Sequence, residues 1–317
     1  MSTQNIPTPP IQAPRTTAIQ APGGASTSGP GGPGGRGAAG RGRRGRKLSA
    51  TLIIGLVLIG LVVAAALVSF IWTPYNPVQA NPADRLQGSS LDHLMGTDKY
   101  GRDMFSAMLY GARITLFVGV ISVGIALVIG TPLGILAGIR GGWIEEVIMR
   151  TSDIALAFPA LLLAIMFSAV FGASTLTAMV AIGIATVPGF ARVARSGTLQ
   201  VMSTEYVLAA RAASQSRFRI ALRHVLPNII GIVVVQSSVS FALAVLAEAG
   251  LSFLGLGTPP PTPSWGRMLQ ESQQFLGTHP MLAVWPGLAI AIAVMGFNLL
   301  GDGLRDRFDP KLNGGRG

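Results

Sequence analysis

The sequence predicts an all-α integral membrane protein with six crossing helices. Half of the 317 residues are apolar and only 12% are charged. The apolar residues gather in runs of about 20, the length that crosses a ~30 Å hydrocarbon layer at 1.5 Å per residue. The basic residues also sort by side. All but five of the 24 lysines and arginines lie in the two termini, the loop after the second run, and a polar island with its approach, 192–228. The positive-inside rule then places both termini and the island in the cytoplasm. Cysteine is absent, which removes disulfides and thiolate chemistry.

The elements follow in order. Residues 1–47 are rich in Pro, Gly, Ser and Thr, and such a segment buries too little apolar surface to order itself, so a disordered cytoplasmic tail is expected. Its cluster Arg41, Arg43, Arg44, Arg46 and Lys47 suits a topology anchor on lipid headgroups; no specific nucleic-acid role is expected, because a span follows at once. Residues 48–112 hold the first span, 51–72, and an extracytoplasmic segment set out by Pro74, Pro77 and Pro82. The core domain, 113–304, opens with a second span at about 114–139. Within it Gly130, Gly134 and Gly138 recur every four residues, a ridge on which another helix can approach closely. Gly141 and Gly142 mark its end.

A polar loop is expected at 145–150, then a third span at 154–171 with Asp153 at its mouth. Asp153 reads first as an interfacial acid, and second as the partner of an arginine or part of a pathway. The fourth span, 176–194, is interrupted by Pro188 and Gly189. The fifth, 229–250, carries Glu248 near its far end, either on a water-filled path or, more simply, at the interface with backbone or headgroup partners. An outer loop at 252–280 holds the turn-forming run TPPPTPSWG and an amphipathic stretch, 265–275. The sixth span, 281–300, leads to a polar cytoplasmic tail, 305–317.

The island itself, STEYVLAARAASQSRFRIALRHVLPN at 203–228, reads as helix, short turn, helix. Tyr206, Ala209, Ala210 and Ala213 recur at helical spacing and form one shallow apolar stripe, with Ser203 or Thr204 able to cap it. A second period, Phe218, Ala221, Leu222 and Val225, is expected to close at Pro227. This is a surface for a cytoplasmic protein partner.

ATP hydrolysis by this chain is not expected. A phosphate-cradling loop needs Gly-Lys, and the only lysines, Lys47, Lys99 and Lys311, follow Arg46, Asp98 and Pro310. His93, His224 and His279 are too far apart in sequence for a metal or nucleophile site. The spans hold at most Asp153 and Glu248, too few acids for an ion-coupled carrier. A cytoplasmic ATPase pressed on the island is the simplest energy source. A self-sufficient carrier or channel, with the island a mere amphipathic surface, is the rival.

Four segments in order, MGTDKYGRDMFSAMLYGARITLFVG, YVLAARAASQSRFRIALRHVLPN, LAEAGLSFLGLGTPPPTPSWGRML and FNLLGDGLRDRFDPK, make residues 48–312 resemble a known family. It comprises the membrane subunits of ATP-binding-cassette importers of the dipeptide/oligopeptide and nickel type, and the match is to the C-component side. The resemblance implies a type I importer permease fold in a bacterial plasma membrane. It implies no enzyme activity and no bound cofactor in this chain, with ATP and Mg used by partner subunits. The implied partners are a second, homologous permease subunit, two cytoplasmic ATPase subunits or domains, an extracytoplasmic substrate-binding protein and membrane lipid. The implied cargo is short peptides, with nickel chelates, haem and glutathione open. The island corresponds to the family's ATPase-coupling loop: Ala209, Ala210, Arg211, Arg223, His224, Leu226 and Pro227 match it, with Glu205 and Tyr206 alongside. Leu208 stands where a glutamate is expected and Ser214 where a glycine is expected. At Ser214 the chain must either find another turn or accept a strained left-handed residue.

Overall fold

The computed structural model describes residues 49–308; residues 1–48, with the arginine cluster, and the end of the chain from 309 lie outside the described residues. Helix α1 (Ala50–Ile71) starts where the Ser49 hydroxyl accepts the Leu52 N–H at 3.2 Å. It lies against α10 (Met281–Phe308) through glycines: a Cβ on Gly55 would fall 2.6 Å from the Leu300 nitrogen, and one on Gly303 2.7 Å from the Leu52 Cβ. Close backbone approach supplies the dispersion contacts that hold helices together where lipid removes the hydrophobic drive.

Helix α2 (Met104–Arg140) is longer than the expected span by ten residues at its start. Asp103 caps it, its Oδ2 accepting the Ser106 N–H at 2.8 Å. Its 37 residues extend about 55 Å, well beyond the hydrocarbon. Hydropathy marks the membrane-embedded part of such a helix, and polar residues such as Ser106 and Arg102 are packed against protein beyond it. The helix ends at Gly141, whose φ of +65° reverses the chain.

The third span differs from the expectation. The supposed polar loop at 145–150 is helical, part of α3 (Gly142–Ala157), and α4 (Ala160–Phe171) leaves α3 at an angle of 83°. Pro159 offers no N–H and forces Phe158 into an extended conformation (φ −91°, ψ 128°), so the helix breaks there. Pro188, in contrast, does not interrupt α5 (Thr175–Met202), which runs eight residues past the expected end of its span. The glycine ridge of α2 packs on both sides of Pro188 and holds the two halves in line.

Two short helices, α6 (Glu205–Ala212) and α7 (Arg217–Ile220), form the island. Contrary to the sequence reading, Pro227 closes nothing. A single wide π turn, Ala221–Val225, joins α7 directly to α8 (Leu226–Phe253). In that turn the Leu226 N–H reaches back five residues to the Ala221 carbonyl. The shift in register moves the carbonyl that a proline ring would strike, and the helix passes through. A final short helix, α9 (Trp265–Ser272), and the turn Gln273–Phe275 cover the far end of the bundle. Five helices are long and apolar enough to cross a membrane, and the bent α3–α4 pair, counted as one span, makes six.

Candidate functional site

The island is built on an internal seam. Val207 and Ala210 of α6, Ile220 of α7 and Val225 of the π turn are buried, and Val207, Ile220 and Val225 join Val201, Met202 and Ile229 in one apolar cluster. These anchors fix the two short helices to the ends of α5 and α8. The expected stripes are out of phase with this seam. Of the first, Ala210 points inward while Tyr206, Ala209 and Ala213 are exposed. Of the second, Val225 is internal while Phe218 is 73% and Leu222 51% exposed. Val207 and Ile220 were the missed positions. Alanines on every face of α6 gave the pattern too little contrast to set its phase.

The outward surface therefore carries Glu205, Tyr206, Leu208, Ala209 and Arg211 from α6, with Phe218, Leu222 and Arg223 beside them. Glu205 lies in the first turn of α6, where the helix dipole favours an acid. Neither proposed cap serves. Thr204 holds the cap position but donates its hydroxyl to the Val201 carbonyl at 2.6 Å, and Ser203 donates to that of Gln200 at 2.8 Å. The Tyr206 and His224 rings sit 5.9 Å apart, and the Asn228 amide donates to the His224 carbonyl at 2.6 Å. Pro227 is exposed at the first turn of α8.

Ser214 adopts a φ of +55°. Its N–H donates to the Arg211 carbonyl at 2.9 Å and the Gln215 N–H to that of Ala210 at 3.1 Å. These are the two bonds of a Schellman end, in which the left-handed position normally belongs to glycine. A side chain there costs about 1 kcal/mol. Ser214→Gly is expected to raise unfolding stability by about that amount, and Ser214→Val to lower it, read as shifts of the thermal midpoint of the purified protein.

The ridge of α2 lies against α5. A Cβ on Gly130 would fall 2.6 Å from the Phe190 Cβ, one on Gly134 2.7 Å from the Ala194 Cβ, and one on Gly138 2.7 Å from the Thr198 Cβ. On the other side of α5, Arg192 pairs with Asp153 at 2.5 Å and Arg195 pairs with Glu145. Asp153 is thus an arginine's partner, half exposed, and α3 is tied to α5 at two points.

Above the Asp153 pair, the bend between α3 and α4 opens a groove of about 400 Å³, walled by Leu156, Leu161, Ile182 and Leu243. Gln236, Ser240 and Thr186 supply its polar groups, and the Gln236 amide donates to the Ser240 hydroxyl at 3.2 Å. Apolar periodicity could not separate these residues from packing positions.

Glu248 corrects the interfacial reading. It is 1% exposed, and its Oε1 accepts the Ser252 hydroxyl at 2.7 Å. Ser252 in turn accepts the Thr258 N–H at 3.0 Å, and Ser168 of α4 donates to the Leu256 carbonyl at 3.2 Å. The buried carboxyl therefore belongs to a polar knot that fastens the loop after α8 over the far end. Beyond it, Arg102 bridges Asp98 at 2.5 Å and Glu271 of α9. Burial works against its charge, but the two carboxylates more than offset that and hold the guanidinium above its usual range.

Comparison with known proteins gives a consistent picture. The family model described as "Binding-protein-dependent transport system inner membrane component" matches residues 130–314. The chain is 44% identical to the dipeptide transport system permease protein DppC of Alkalihalophilus pseudofirmus, over 82% of this chain and 86% of that relative. It is 43% identical to the glutathione transport system permease protein GsiD of Pectobacterium atrosepticum, over 75% and 80%. In fold it resembles a chain of the inward-facing MetNI methionine ABC transporter, with a TM-score of 0.54 at 20% identity, covering 65% of this chain and 98% of that one.

Proposed function

Since the chain belongs to the family of binding-protein-dependent transport system inner membrane components and is the permease subunit of an ABC importer, we propose that its cargo is short peptides and that the island is its ATPase-docking surface. One observation carries this reading. The chain has no phosphate-binding loop of its own, yet the island exposes a set of large apolar side chains, Tyr206, Leu208, Phe218 and Leu222, on helices anchored to α5 and α8. A partner seated on them moves two membrane helices at once. The island's arginines, Arg211, Arg217, Arg219 and Arg223, favour a partner groove with acidic edges.

In this reading both termini and the island face the cytoplasm. Two ATPase subunits or domains dock there, one on this chain and one on a second, homologous permease subunit. The α3–α4 groove forms part of the path shared with that second subunit, and an extracytoplasmic binding protein delivers cargo to the far-end loops. Glutathione is itself a short peptide, and the relative named for it puts it inside the same cargo class.

The complex purified natively from its own operon is expected to contain an ATPase subunit and a second permease. With its binding protein, in proteoliposomes, it should take up labelled dipeptides or tripeptides only when ATP is present. A chain that purifies without an ATPase sinks the docking proposal. A complete complex that ignores every peptide while moving a nickel chelate or haem sinks the cargo proposal alone.

A further inference from the structure

Arg113 is a half-buried charge at the far end. It lies ten residues into α2, alongside the last turn of α1, a helix that carries no charge at all. Its Nε donates to the Ser69 hydroxyl at 3.1 Å and its Nη2 donates to the Ser69 carbonyl. The guanidinium lies 3.7 Å above the Phe70 ring and 4.7 Å from that of Tyr110. No carboxylate pairs with it among the described residues, whereas Arg102, Arg192, Arg195 and Arg267 each have one.

Directly below this unbalanced cation, α1 and α2 part to leave a groove of about 340 Å³ lined by Ala66, Leu67, Leu116, Phe117 and Val120. Arg113 heads it, and Val120 lies seven residues further along α2, about 10 Å deeper. Phe70, Phe117 and Val120 are largely exposed on its walls. A half-buried positive charge without a counter-charge calls for an anion, and a guanidinium offers a planar fork that suits phosphate. The apolar channel beneath calls for a hydrocarbon chain. A single molecule meets both requirements in this orientation.

We propose that the α1–α2 groove is a binding site for an anionic phospholipid, with its phosphate on Arg113 and one acyl chain between α1 and α2. The Ser69 contacts and the two rings hold the guanidinium in place and leave its remaining N–H groups directed at the headgroup. A zwitterionic lipid shares the phosphate but brings an ammonium towards an uncompensated arginine, and so binds less well. The lipid acts as a wedge that sets the spacing of α1 from α2.

Native mass spectrometry of the assembled transporter, stripped of lipid and then titrated with phosphatidylglycerol or phosphatidylcholine of the same chains, tests this. Wild type is expected to retain phosphatidylglycerol about ten-fold better than phosphatidylcholine, and Arg113→Gln to lose that preference. Val120→Trp fills the groove from an exposed position and leaves the Arg113–Ser69 contacts intact, so it should lower retention of both lipids even if Arg113→Gln disturbs folding. Equal retention of the two lipids by wild type, or unchanged retention in Val120→Trp, overturns the proposal. So does a photo-crosslinker at position 117 that captures the second permease subunit in place of lipid.

Discussion

Gly134→Val should leave little folded subunit in the membrane. A Cβ at this position falls within 2.7 Å of the Ala194 Cβ and closer still to the Ala191 carbonyl oxygen. Backbone cannot swing aside as the end of a flexible side chain can, so α2 and α5 must separate along the ridge. Overpacking of this kind costs about 3 kcal/mol, a large share of the ~5–15 kcal/mol that holds a domain folded. Membrane abundance and the thermal midpoint of the solubilised subunit measure it. Gly60→Val is the control: a Cβ there meets nothing within 4 Å, and normal abundance is expected. Wild-type stability in Gly134→Val would mean that α2 and α5 do not meet along this ridge.

The second large effect falls on coupling. Ala209 is exposed between Tyr206 and Ala213 on the outward face of α6, unlike the buried anchors Val207 and Ala210. A tryptophan there should leave insertion and abundance unchanged while blocking a partner from lying flat on the island. Peptide uptake and peptide-stimulated ATP hydrolysis are expected to fall at least about ten-fold, with the ATPase lost from the purified complex. A complex that keeps its ATPase and its transport with tryptophan at 209 would show that the island is not the docking surface.

How much of this was legible in the sequence depends on what each signal measures. The ridge could be read because a four-residue glycine spacing is a statement about one helix face. Six crossings could be counted because length and apolarity are what a bilayer requires. The break at Phe158–Pro159 was hidden inside an apolar run, and a run reports depth without direction. Pro159 and Pro188 look alike in sequence; one breaks its helix and the other does not, and α2 packs on α5 on both sides of Pro188. Glu248 looked interfacial from its position near a helix end. Ser252 lies one turn along the same helix, but only the fold brings the loop through Thr258 to it. At the island the helices could be predicted but their rotation could not, since Ala209, Ala210, Ala212 and Ala213 leave α6 without a distinct apolar face.

The π turn at Ala221–Val225 has a mechanical meaning. Because the chain does not break at Pro227, Arg217–Phe253 is one unbroken 37-residue helix, a lever of about 55 Å. Phe218 sits at one tip and the Glu248–Ser252 knot near the other. Such a lever has no joint at which a thrust on Phe218 could be absorbed, so tilting it at the island must drag the far-end loop, with torque in place of any relay of side-chain contacts. The extra residue in the π turn adds a small twist to the shaft.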